Sequence, residues 1–367
     1  MIRFINFDNV VTDSNYRTYK EIHDSDTKLL VISGGFESFE GLETYYLKRL
    51  SESKEDIEWS DKIILECRWE SLHHDVWEKC IEYLKPKEVL TIDGSLIPST
   101  KYNNIIDRLF FMRNKDIVPK PFSQRNKLYQ SLSRVAACKF QRVELTYRLY
   151  KRNLLDKGIV SCMSNPDERN YRLDIAYMGT EWEQDFLDIL PMTYDGFVDS
   201  QYASFQSVVG DNVRVNVVNE SSFDITESTL FEGIRYNGGR FWTRPFMTEK
   251  SVKAFRLHQL PLFVTAGGYV EELRKLGFDL YDDIINHSYD LEKDPTKRIN
   301  MVVEELYRLS LIEDELLSKE GLWERMEHNV KRLEVLYNEN RIFVDDYINK
   351  WFFSDSKYSN HNSHSLI

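Results

Sequence analysis

The feature that most restricts what this chain folds into is an alternation. Short apolar runs rich in β-branched and aromatic residues recur along it, separated by segments with helical periodicity. The first series holds IRFINF (2–7), KLLVIS (28–33), DKIILEC (61–67), EVLTID (88–93) and DRLFFM (107–112), with helical patterns over 40–53 and 70–84. Strands alternating with helices read as βαβ units, because neighbouring parallel strands are joined only by a crossover. VPKPFSQRN (118–126), with two prolines, reads as a linker. A second series follows: strand VAACKF (135–140), helix 141–155, and strands GIVSCM (158–163), RLDIAYM (172–178) and VRVNVVNE (213–220). It continues with helix 248–259, strand PLFVT (261–265) and helix 269–276, closed by Gly277. Beyond residue 297 the pattern is almost wholly helical to about 352.

The expectation is two α/β domains, residues 1–125 and 126–300, a helical annex over 301–352, and a polar tail over 353–367. Such domains bind ligands beyond the carboxyl ends of their strands, and paired domains bind them in the cleft between.

The 367 residues, 42% hydrophobic and 13% aromatic, suffice for two cores. No apolar run reaches membrane-spanning length and the N-terminus lacks a signal-peptide layout, so a cytoplasmic protein without membrane insertion is expected. Cys67, Cys80, Cys138 and Cys162 show no paired metal spacing. The net charge of −12 argues against nucleic acid, but its distribution is uneven. Residues 101–157 carry fourteen Lys/Arg against four Asp/Glu, a balance of +10, and the rest of the chain carries −22. Aromatics such as Phe110, Phe111, Tyr129 and Tyr147 are interleaved there. That stretch reads either as a surface for an anionic partner or as solvated helix faces.

RPFMTEKSVKAFRLHQLPLFVTAGG (244–268) raises a chemical question. Thr248 reads as a helix N-cap, which puts Glu249 and Lys250 in the first turn. A glutamate suits the positive end of a helix dipole, whereas a lysine costs a few tenths of a kcal/mol there. A diphosphate docked on that turn would remove the conflict, because a helix N-terminus offers unpaired N–H groups. Gly267 and Gly268 stand between a strand and a helix, where a backbone can approach a ligand. Glu271 and Glu272 in that second helix's first turn disfavour phosphate, so sugar hydroxyls suit the loop better. Glu220 ends a strand at the same carboxyl edge. Asp24-Ser25-Asp26 reads as a turn, His73 and His74 face different directions, and no P-loop, nucleophile elbow or H-E-x-x-H is present.

VVNES, then FMTEK, LPLFVTAGG, LRKLGFDL and SYDLEKDPTKR, occur in an order that resembles the donor half of GT-B-type glycosyltransferases. The resemblance is to those of tailed bacteriophages and large viruses, distantly similar to fucosyltransferases, and spans about residues 134–300. It implies two Rossmann-like domains facing a cleft, a nucleotide-sugar co-substrate, and neither a tightly bound cofactor nor a metal. It also implies that Glu249 binds the donor ribose and Lys250 the diphosphate, with Thr248, Glu220 and Arg142 lining the cleft. An inverting transfer would need a base on the N-terminal side, and Glu37 and Asp93 are the candidates. The acceptor expected first is a hydroxymethylated base in duplex DNA, reached through Arg113, Lys115, Lys120 and Arg125, and the alternative is a surface glycan or lipid. A non-catalytic nucleic-acid-binding protein on the same fold is the reading from another class.

Overall fold

The computed structural model describes residues 1–6, 26–33, 42–67, 74–93, 103–104, 118–135, 140–164, 182–190, 192, 212–220, 223, 245 and 247–353. They divide between two units: Met1–Arg108, Asn237–Phe246 and Val335–Ile367 in one, Leu109–Tyr236 and Met247–Glu334 in the other.

In the first unit, strands β1 (Ile2–Asn6), β2 (Leu29–Ser33), β3 (Lys62–Cys67), β4 (Glu88–Asp93) and β5 (Asn103–Asn104) form a parallel sheet in chain order. Helices α1 (Leu42–Glu52), α2 (Lys54–Trp59) and α3 (His74–Leu84) lie between them. Strands added always on the same side, through right-handed crossovers, put their helices on one face. Leu30, Ile32, Ile63 and Leu65 accordingly pack on Tyr46 and Leu50 of α1, Ile57 of α2, and Cys80 and Leu84 of α3. On the opposite face, Leu29, Val31, Ile64, Leu90 and Ile92, no crossover helix packs among the described residues. The C-terminal helix, Leu322–Phe353, covers it with Ile348 and Phe352. Lys62 keys that helix in place, since its ammonium donates to the Trp351 carbonyl at 2.9 Å and stands 3.3 Å from Glu88.

The second unit holds β6 (Lys127–Val135), α4 (Phe140–Lys151), β7 (Gly158–Ser164), α5 (Gln184–Asp188), β8 (Val213–Asn219), α6 (Glu249–Arg256) and β9 (Leu260–Val264). After them come α7 (Tyr269–Lys275), α8 (Pro295–Leu311), α9 (Glu313–Leu317) and α10, the C-terminal helix Leu322–Phe353. The described strands are parallel in the order β7-β6-β8-β9. The chain steps outward from β6 to β7, then returns past β6 to β8. The order reverses there, between β6 and β8, and doubly wound sheets bind ligands beyond the carboxyl ends of the strands at such a reversal. Pro261, which has no N–H to give a ladder, sits in β9 at the margin of this sheet. Gly158 is required at the start of β7, because a Cβ there would collide with the ring of Tyr129, its neighbour across the ladder.

Three expectations are corrected. The strand expected at 135–140 is β6, at Lys127–Val135, and a helix already begins at Phe140. Polar residues hide β6 from a hydrophobicity reading, yet they are buried and bonded. Gln130 and Asn216 both donate to Gln259 Oε1, at 3.3 and 2.7 Å, and Asn219 donates to Ser133 Oγ at 3.2 Å. The annex is not separate, since α10 up to Glu334 belongs with the second unit and its remainder with the first. Asn329 fixes the early part by bonding the backbone N–H and C=O of Asp279, at 2.8 and 2.7 Å. The boundary expected at 125 falls at Arg108, and residues 118–126 are no free linker. Arg125, 1% exposed, donates to the carbonyls of Lys120, Val213, Leu257 and His258 with all five of its guanidinium N–H groups. The runs at 107–112 and 172–178 lie outside the described residues.

Two outcomes are expected. Arg125→Met leaves buried carbonyls unpaired, so chemical denaturation should show a loss of about 3–5 kcal/mol. His258, 2% exposed, faces Arg125 and Glu327. Burial first, then the Arg125 cation, push its pKa from 6.5 down to about 4. Its neutral form therefore contributes stability that is complete above pH 6.5 and is lost as the pH falls through about 4. The loss amounts to at most about 3 kcal/mol. Denaturant titrations between those pH values should show a shallower acid loss in His258→Gln than in the natural chain.

Candidate functional site

β8 is buried at every position from Val213 to Asn219, and the next residue, Glu220, carries a carboxylate that is 0% exposed. The backbone N–H of Glu220 donates to Val264 of β9 at 3.1 Å, which holds its side chain at the carboxyl edge of the sheet. Helix α6 begins beside it. Thr248 is the N-cap, with extended backbone and a hydroxyl that accepts the Lys250 N–H at 3.2 Å. The same hydroxyl donates to Glu220 Oε2 at 2.6 Å. Ser251 donates to Glu220 Oε1 at 2.6 Å, and Tyr269 OH lies 2.6 Å from Ser251 Oγ. Val252, Ala254 and Phe255 anchor the rest of α6 in the core. Burial, then the Glu220 charge, raise the Tyr269 hydroxyl well above its ordinary pKa, so it enters this network as a protonated donor.

Lys250 therefore does not face the helix dipole alone. Its ammonium is 3.3 Å from Thr248 Oγ1 and 3.9 Å from Glu220 Oε2, on a side chain 30% exposed. Glu249 opens α6, and its side chain lies outside the described residues. Loss of Lys250 relieves a dipole repulsion but also removes a counter-charge from a buried carboxylate. The slight stabilisation that helix position alone suggests on its removal is no longer the expected result.

The second helix N-terminus at this edge is differently equipped. Gly268 caps α7 with φ +82°, and a Cβ on it would meet nothing within 4 Å. Asp290 closes the first turn of α7, accepting the N–H groups of Val270 at 3.1 Å and Glu271 at 3.3 Å. A carboxylate thus already occupies the place a phosphate would take. Burial raises the Asp290 pKa, opposed by those two bonds and by Arg298. Arg298, 3% exposed, donates to the Thr265 carbonyl at 2.9 Å, fixing the strand end that leads into Gly267 and Gly268. Tyr289 accepts the Phe263 N–H at 3.2 Å and lies 2.8 Å from His287 Nδ1, whose other nitrogen lies 2.8 Å from the Leu280 carbonyl. Burial keeps this His287 neutral by lowering its pKa.

Arg142 lies in the first turn of α4, just beyond the carboxyl end of β6, and is 7% exposed. Its charge acts on Cys162 of β7, whose thiol burial nonetheless pushes up to about 12. Glu220, Thr248, Lys250, Gly267, Gly268 and Arg142 thus all stand at the carboxyl edge of one sheet. Sequence reasoning missed Ser251 and Tyr269, and no spacing rule marks a hydroxyl inside a helix as a partner of a distant strand end.

The other candidates separate. Glu37, Arg113 and Lys115 lie outside the described residues, and so does the side chain of Asp93, which ends β4. Lys120 is exposed and donates to Asn212 Oδ1 at 2.8 Å. Arg125 is withdrawn as an acceptor contact, because backbone carbonyls take all five of its donors. Several further cations of the basic stretch are also engaged inside the unit: Arg148 by Glu144, Lys151 by Glu183, Arg152 by Glu304 and Lys157 by Ser310. Among the described residues no three His, Cys, Asp or Glu are grouped to hold a metal ion, and no helix is long and apolar enough to cross a membrane.

No family model matches the chain, and no curated protein matches it. Among solved structures it is similar to one described as trehalose-6-phosphate from E. coli bound with UDP-2-fluoro glucose. The similarity has a TM-score of 0.46 and 10% identity, over 92% of this chain and 75% of that one. A likeness at that identity assigns no role to any residue.

Thr248→Val removes both the cap and a donor to a fully buried carboxylate. Denaturation should show a loss of about 1–3 kcal/mol, while Thr248→Ser, which keeps both bonds, should cost less than half of that.

Proposed function

We propose that the chain is a nucleotide-sugar-dependent glycosyltransferase of GT-B type, and that its second unit binds the donor. The observation that carries the proposal is Lys250 on the first turn of α6, at the edge of a sheet whose strand order reverses between β6 and β8. Three features converge there on an anion: a helix N-terminus, an ammonium group, and the carboxyl edge of a parallel sheet. A sugar nucleotide departs as a diphosphate, and fixed positive charge at that leaving group lowers the barrier to transfer. Glu249, next to the lysine, is assigned to the donor ribose. Gly268, with open space where a Cβ would stand, gives the sugar a close approach to the backbone. The TEK sequence at 248–250, followed by the Pro261 strand, supports the same assignment through its resemblance to the family.

For the acceptor we favour a hydroxyl on a glycan or lipid over a base in DNA. The described part of the basic stretch is largely bound to its own protein, which weakens the case for a phosphate-tracking surface. The DNA reading now rests on Arg113, Lys115 and Lys120. Glu37 and Asp93 stay as the proposed carboxylates of the N-terminal unit for deprotonating the acceptor.

Lys250→Ala should weaken nucleoside diphosphate binding about ten- to a hundredfold by calorimetry, the worth of a charge-assisted hydrogen bond. Mass spectrometry after incubation with a panel of nucleotide sugars and glycan, lipid and hydroxymethylated duplex DNA acceptors identifies both substrates. The absence of both transfer and hydrolysis with every donor would overturn the enzymatic reading in favour of a binding protein.

A further inference from the structure

The Glu220 carboxylate is completely buried, so it is badly placed to touch a ligand. Its oxygens are occupied from within: Oε1 by Ser251 Oγ at 2.6 Å and the Thr248 N–H at 3.4 Å, Oε2 by Thr248 Oγ1 at 2.6 Å. What it does to the site is electrostatic. It sets a negative charge beneath the N-terminus of α6, 3.9 Å from the Lys250 ammonium. That separation is beyond hydrogen-bond distance, so the attraction acts through space on a side chain that still reaches solvent.

We propose, resting on the donor-site reading above, that Glu220 is a positioning residue that serves as a resident counter-anion. It holds Lys250 and the first turn of α6 formed while the site is empty, and a docking diphosphate then takes over the lysine. The arrangement has two opposed effects. Order is gained, because strand end, cap, Ser251, Tyr269 and lysine are tied into one network before the ligand arrives. Affinity is reduced, because a carboxylate behind a helix N-terminus cancels part of the positive potential that draws an anion in. Glu220 thereby keeps the leaving diphosphate from being held too tightly after transfer.

Glu220→Gln tests this, because it removes the charge and keeps the size and a carbonyl acceptor. Binding of nucleoside diphosphate is measured by calorimetry alongside a thermal melt. The expected result is a lower melting temperature together with affinity higher by about tenfold, since a like charge near the anion is gone. Direct donation of hydrogen-bond acceptors from Glu220 to the donor predicts weaker binding instead, and a purely structural Glu220 predicts a lower melting temperature with affinity unchanged. Either result overturns the proposal. Should the glutamine variant fail to fold, Glu220→Asp serves, because it keeps the charge but draws it back from Lys250, and a smaller gain in affinity is expected. If the natural chain binds no nucleoside diphosphate, the donor site itself is wrong. If it binds and neither variant gains, only the role of Glu220 is.

Discussion

One carboxylate organises the second unit's working edge. Glu220 follows a strand that is buried along its whole length, and its oxygens receive the hydroxyls of Ser251 from a helix and of Thr248, that helix's cap, 28 residues later. A buried anion with no partners would cost several kcal/mol, so the strand end and the helix start must come together for either to be stable there. Lys250 follows as a consequence. Its position, unfavourable for an isolated helix, is compensated from below by Glu220 and remains partly open to solvent above.

The two units solve the burial of a parallel sheet differently. In the first, strands run in chain order, the described crossover helices crowd one face, and the C-terminal end of α10 packs on the other. In the second, the order β7-β6-β8-β9 of the described strands reverses once, between β6 and β8. Only the second kind of order creates a switch point, and the Thr248 cap, Lys250, Gly267 and Gly268 stand at that edge.

Much of this is legible from residue patterns, and the failures have physical causes. Strands of hydrophobic alternation, the Thr248 cap and the Gly277 helix end can be found because each is a local property of a few residues. β6 is displaced in a hydrophobicity reading because Gln130 and Ser133 look like loop residues until Gln259, just before β9, and Asn219 of β8 meet them with hydrogen bonds. Arg125 looks like a ligand contact because an arginine's charge is visible in sequence, whereas the carbonyls of Val213, Leu257 and His258 that enclose it are not. The C-terminal helices look like a separate body because helical periodicity says nothing about which sheet a helix covers.

The central claim is that an anionic ligand docks on α6 and not on α7. Amide hydrogen exchange with and without nucleoside diphosphate measures this directly. The account predicts that the ligand slows exchange at residues 249–251 and leaves the first turn of α7 unchanged, since Asp290 already holds its N–H groups. Protection appearing at 270–272 with none at 249–251 would contradict it.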